Sequence, residues 1–103
     1  MSFEVGVEAR FTASHHLVGD FGPASVPHAH EYRVVVSVGG DQLRADGTLF
    51  DISRLQQAVA RVIANINGTN LNDLSAMQGA NPTAEVMARF FFDRLAPDRK
   101  SVV

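Results

Sequence analysis

His28, Ala29 and His30 lead into Glu31–Val38, a run rich in β-branched and aromatic residues. Such a run reads as a β-strand. Strand side chains alternate faces, so His28 and His30 share one face with Tyr32, Val34, Val36 and Val38. A second alternation begins at Phe3 and continues through Val5, Val7, Ala9, Phe11 and Ala13; one further step lands on His15. If the two strands pair antiparallel, the end of the first meets the start of the second. Three imidazoles, His15, His28 and His30, then converge from one face of the ribbon. Neutral imidazole is a metal ligand, and zinc suits a three-nitrogen site with bonds of about 2.0–2.1 Å. Three protein ligands leave a fourth position for water or substrate, which marks a catalytic zinc rather than a structural one.

Any single histidine is ordinarily a satisfied core or surface residue; three that share a parity point to a common site. His16 has the opposite parity and is expected as an exposed loop residue. Iron or manganese would call for a carboxylate completing a facial site, and none is so placed. A cupin site would need a glutamate a few residues after its His-x-His, where Val34, Val35 and Val36 stand.

The elements that must position these rings follow in order. The first strand spans about Ser2 to Ser14. The stretch from His16 to Pro27, with Gly19, Gly22, Pro23 and Pro27, is a loop longer than a hairpin needs. The second strand ends at Gly39-Gly40, Asp41–Gly47 make a polar turn, and Thr48-Leu49-Phe50 reads as a short third strand. Asp51 or Ser53 caps a helix whose apolar stripe is Ile52, Leu55, Val59, Val62, Ile63 and Ile66. Asn67-Gly68 stops it, and Thr69–Ala80 is polar and turn-rich. Asn81-Pro82 is expected to open a second helix, with Val86, Met87, Phe90, Phe91 and Leu95 as its stripe and Pro97 as its end. Ser101-Val102-Val103 looks like the start of a truncated final strand. The pattern is one α+β domain over residues 1–103: an antiparallel sheet with two helices packed on one face.

At 103 residues, 46% of them hydrophobic, the chain supports one modest core. A net charge of −2 argues against a nucleic-acid partner held by a basic patch. With no cysteine there is no disulfide, thiolate nucleophile or cysteine-bound zinc. No apolar run has the length of a membrane span and no charged leader precedes an apolar block, so a cytoplasmic protein without membrane contact is expected.

Several of these segments together resemble the family of 6-pyruvoyl-tetrahydropterin and 6-carboxytetrahydropterin synthases. Phe11-Thr12-Ala13-Ser14-His15 is similar to the first ligand motif of that family. His28-Ala29-His30-Glu31-Tyr32 is similar to its ligand pair. The segments Gly47–Leu55, Asn70-Leu71-Asn72 and Asn81-Pro82-Thr83-Ala84-Glu85 match later landmarks in order. The resemblance implies a tunnelling fold (T-fold), assembly into homo-oligomers (trimers or hexamers), and Zn2+ held by His15, His28 and His30. It implies a lyase or synthase acting on a pterin-type small molecule, 7,8-dihydroneopterin triphosphate or a relative, whose side-chain hydroxyls the metal polarises.

This chain departs from the family pattern at three points. The position of the family's cysteine base falls near Ala24, and its Asp-His pair falls on Asn67 and Gly68. The glutamate that anchors the pterin belongs to a final strand that is incomplete at Val103. Asp20, in the long loop between the ligand strands, is the carboxylate best placed by position to stand in as base. Glu31 has the wrong parity. Asp73 and Glu85 read as a loop residue and a first-turn acid complementing the helix dipole. Two readings follow: a zinc-dependent lyase with a substitute base, or a catalytically inert zinc-containing module that binds a pterin-like ligand.

Overall fold

The computed structural model describes residues 1–77 and 79–95; the expected helix end at Pro97 and the strand at Ser101–Val103 lie outside them. Two long strands, β1 (Phe3–His15) and β2 (His28–Gly40), pair antiparallel along their whole length. The register places Phe11 opposite Tyr32, Ala13 opposite His30 and His15 opposite His28. The alternation read from the sequence is therefore the one observed. One face carries Val5, Val7, Ala9, Phe11, Ala13, Tyr32, Val34, Val36 and Val38 into the core, buried or partly so. The other face is charged: Arg10 pairs with Glu31 at 3.0 Å and Arg33 with Glu8 at 3.3 Å. These ion pairs offset the direct opposition of Arg10 and Arg33 across the ladder.

Helix α1 (Ile52–Ile66) starts at Asp51, whose side chain accepts from the Arg54 backbone N–H at 3.3 Å. It buries Leu55, Ala58, Val59, Val62 and Ile66, with Ile63 partly buried against the same core. Gly68, at φ +77°, turns the chain in a conformation that β-carbon sterics disfavour for other residues. Helix α2 (Ala84–Leu95) buries Met87, Phe90, Phe91 and Leu95. Together these elements build the expected α+β architecture, an antiparallel sheet with two helices.

The structure corrects the expected elements at two places. Thr48-Leu49-Phe50 is not a strand. Thr48 is tied into a local turn instead: its carbonyl accepts from the Arg44 backbone N–H at 2.7 Å, and its hydroxyl donates to Asp46 at 2.6 Å. Leu49 and Phe50 then pack on the core as irregular chain. The second helix begins at Ala84 rather than at Asn81-Pro82. Thr83 supplies the cap, its hydroxyl accepting from the Val86 N–H at 3.2 Å, because the Asn81 amide is engaged elsewhere.

That engagement belongs to a larger pattern along the outer edge of β1. Thr12 donates its N–H to Asn67 Oδ1 (2.9 Å) and accepts from the Gly68 N–H (2.6 Å). Ser14 donates to the Thr69 carbonyl at 3.0 Å and forms a parallel bridge with Asn70. Beyond this point the main chain of 71–77 turns through two short 3-10 helices, Leu71–Asp73 and Ser75–Met77, which bury Leu71 and Met77. Two side-chain amides continue the ladder. Asn72 accepts from the His16 N–H and donates to the His16 carbonyl, both at 2.9 Å. Asn81 does the same for Val18, at 2.8 and 3.0 Å. A primary amide presents a carbonyl and an N–H side by side, as a peptide group does, so it can satisfy a strand edge without a strand.

Candidate metal centre

The end of β1 and the start of β2 bring three rings together. His15 is buried, His28 half-buried and His30 exposed, and one ring nitrogen from each lies within 4.8 Å of the other two. Their ring centroids are 4.5–5.1 Å apart and every pair meets edge to face. The last rungs of the ladder, from Ala13 opposite His30 to His15 opposite His28, fix this meeting. His15 and His28 are direct cross-strand partners, and His30 is one same-face step further along β2.

The hydrogen bonds around two of the rings decide their chemistry. His15 Nδ1–H donates to the Pro82 carbonyl at 2.9 Å, and His28 Nδ1–H donates to the Val26 carbonyl at 2.6 Å. A carbonyl oxygen only accepts, so each Nδ1 carries the proton and each neutral ring presents a bare Nε2 lone pair. Those two Nε2 atoms face each other at 3.1 Å. Two lone pairs at that separation repel unless a positive charge lies between or beside them. A tetrahedral zinc with bonds of about 2.0–2.1 Å sets its nitrogens about 3.3 Å apart. The donor set therefore fits a divalent cation that prefers nitrogen ligands, and the two carbonyls are the outer acceptors such ligands ordinarily require.

His30 is exposed as a residue, yet partial desolvation, then electrostatic coupling to its neighbours His28 and His15, lowers its pKa below the ordinary 6.5. A ring that resists protonation remains available as a ligand. Tyr32 continues the same face. Its ring stacks on Phe11, with centroids 4.8 Å apart and planes 7° from parallel, and its hydroxyl oxygen lies 3.3 Å from His15 Nδ1. Burial pushes its pKa up, so it stays a neutral phenol.

Asp20 is exposed on the loop between the ligand strands, and its carboxylate does not join the three clustered nitrogens. Glu31 points to the opposite face and pairs with Arg10, as its parity requires. His16 is not the exposed residue expected. It is half-buried, its backbone is held by Asn72, and its Nδ1 is fully buried with no hydrogen-bond partner among the described residues. The Leu71–Asp73 turn sits over this segment, a consequence of the long-range Asn72 contact that local sequence does not reveal. Sequence reasoning also missed the parts played by Val26, Asn72, Asn81 and Pro82. The carbonyls carry no side-chain signal at all, whereas asparagines in a turn-rich stretch could have been read as amides able to satisfy a strand edge.

A model of the 6-pyruvoyl tetrahydropterin synthase family matches residues 4–102. The chain belongs to this family. It is 31% identical over 99 residues, 91% of its length, to the 6-carboxy-5,6,7,8-tetrahydropterin synthase of Bacillus subtilis (strain 168), and spans 66% of that relative. The fold superposes on Caenorhabditis elegans 6-pyruvoyl tetrahydropterin synthase with a TM-score of 0.82 and 23% identity. That match covers 100% of this chain and 80% of the other. A Plasmodium vivax 6-pyruvoyltetrahydropterin synthase, with a catalytic glutamate replaced by cysteine, gives a TM-score of 0.59 and 25% identity. It covers 68% of this chain and 44% of that one. The strands of this synthase-family fold are the ones that bring His15, His28 and His30 together.

Proposed function

We propose that this chain is a zinc-dependent lyase of the tetrahydropterin synthase type, with His15, His28 and His30 as metal ligands and a pterin-type small molecule as substrate. The observation that carries this reading is the pair of Nε2 lone pairs 3.1 Å apart, each ring locked in its tautomer by a backbone carbonyl. Zinc bound there would act as a Lewis acid, making hydroxyls of the substrate side chain more acidic. The substrate class comes from the family, whose curated Bacillus subtilis relative is a 6-carboxy-5,6,7,8-tetrahydropterin synthase; 7,8-dihydroneopterin triphosphate or a relative is the proposed substrate.

The chain's own residues supply the rest of the chemistry. His15 and His28 hold their Nε2 atoms in place through Pro82 and Val26. The neutral Tyr32 phenol, packed on Phe11, closes one side of the rings. A base must take the substrate proton, and Asp20 is proposed for that work. In the Plasmodium vivax relative a catalytic residue is a glutamate, so a carboxylate has a precedent on this fold. Assembly into a homo-oligomer, a trimer or hexamer, is part of the proposal. It is supported by the outer edge of β2, which pairs with no strand among the described residues. A cytoplasmic setting is part of the proposal; no helix among the described residues is long and apolar enough to cross a membrane.

A second reading, an inert zinc-containing module that binds a pterin-like ligand, is favoured by a specific observation. Asn67 and Gly68, where the resemblance places an acid–base pair, are committed to the Thr12 backbone. The deciding experiment supplies zinc-loaded protein with 7,8-dihydroneopterin triphosphate and follows product formation. Turnover that a chelator abolishes and zinc restores supports the lyase. Binding of the triphosphate without turnover supports the module, and a protein that takes up no zinc refutes both.

A further inference from the structure

Asn81 and Pro82 are fastened to the end of β1 at two points. The Asn81 amide makes two hydrogen bonds to the Val18 backbone, at 2.8 and 3.0 Å, and the Pro82 carbonyl accepts from His15 Nδ1 at 2.9 Å. Pro82 is fully buried and its ring fixes φ, so little freedom separates the two attachments. The sequence suggests helix capping for Asn81, but Thr83 performs that task. What remains for Asn81 is the position of the next carbonyl in the chain, the acceptor that decides where His15 carries its proton.

We propose that Asn81 is a positioning residue: by clipping Val18 it holds the Pro82 carbonyl against His15 Nδ1 and so keeps the His15 Nε2 lone pair aimed at the other rings. The inference needs no metal for its first half, the tautomer. Its second half, metal affinity, rests on the zinc reading above. Without the Asn81 amide, residues 81 and 82 lose their hold on Val18, and the carbonyl drifts from the imidazole. His15 is then free to move its proton to Nε2, which removes the lone pair from the site. A Val18 edge left without partners is exposed and can bond to water, so the effect is expected on the ring more than on the fold.

The test compares wild type, Asn81→Ala, Asn81→Asp and Thr83→Ala in the full chain. Nitrogen-15 NMR of the metal-free proteins reads the His15 tautomer, and competition titrations with Zn2+ and Co2+ read affinity and the cobalt d–d spectrum. Wild type is expected to hold a single Nδ1-protonated tautomer. Asn81→Ala is expected to show a tautomer mixture, about 10–100-fold weaker zinc binding and an altered cobalt spectrum. Asn81→Asp keeps the acceptor for the Val18 N–H while losing the donor, and is expected to fall between; it serves if the alanine variant folds poorly. Thr83→Ala removes the α2 cap beside the same proline, so it is expected to lower the melting temperature with the tautomer and cobalt spectrum unchanged. A wild-type tautomer in both Asn81 variants overturns the proposal, as does a Thr83→Ala protein that loses the tautomer equally. If wild type binds neither metal, the zinc reading falls, and the NMR comparison still decides the role of Asn81.

Discussion

Tyr32 lies flat on Phe11, its cross-strand partner, while its hydroxyl comes within 3.3 Å of the His15 Nδ1 that donates to Pro82. One side chain thus joins the core to the histidine cluster. The two parts separate by substitution. Tyr32→Phe keeps the stack and is expected to cost less than about 1 kcal/mol. Tyr32→Ala loses the stacked, half-buried ring and is expected to cost about 2–3 kcal/mol. Denaturant unfolding of the two variants measures the difference, and equal losses would place the stabilisation in the hydroxyl instead.

Acid should act on the histidines in a predictable direction. The folded pKa of His30 is lowered from 6.5 by desolvation and by its two histidine neighbours. The unfolded chain therefore takes up a proton that the folded chain resists. Stability of metal-free protein is complete above about pH 6.5 and declines as pH falls from there toward the folded pKa. Unfolding midpoints across pH 5–8 are expected to show this slope, and His30→Gln should flatten it.

Metal occupancy should follow the same sense, since imidazole must be neutral to bind. Bound zinc is expected to fall away below about pH 6–6.5. Elemental analysis after dialysis at stepped pH checks this; zinc retained in full at pH 4 is incompatible with ligation by histidine alone.

Asp51 offers a prediction confined to the fold. Its carboxylate accepts from the Arg54 N–H at the start of α1, and Asp51→Ala is expected to cost about 1 kcal/mol. The histidine cluster lies on other elements, so zinc affinity should not change. A thermal melt and a zinc titration on one sample test both halves.

Asp20 and the Asn67-Gly68 pair separate the two functional readings. In the lyase reading, Asp20→Asn is expected to reduce turnover by about 10²-fold or more with zinc content unchanged. In the inert reading, Asp20→Asn has no effect, and activity appears only on introducing Ala24→Cys, Asn67→Asp and Gly68→His together. Gly68→His carries a strain of about 1–2 kcal/mol at its positive φ, so this triple variant should also melt earlier.

Alternation and side-chain period were enough to read the strands, the face that His15, His28 and His30 share, and the apolar stripes of both helices, because burial repeats every two residues in a strand and every 3.6 in a helix. The same local rules mistook Thr48–Phe50 for a strand and Asn81 for a helix cap. In each case a residue suited to one local bond was drawn into another, Thr48 by Arg44 and Asp46, and Asn81 by Val18, which lies 63 positions away. His16 was misjudged for a similar reason, since Asn72, 56 positions away, holds its backbone in place. Sequence by itself determined which three rings could meet, since parity is a property of the chain. The tertiary structure alone decided which nitrogen of His15 and of His28 faces inward, because that depends on the Pro82 and Val26 carbonyls, and backbone oxygens are the same in every sequence until the fold places them.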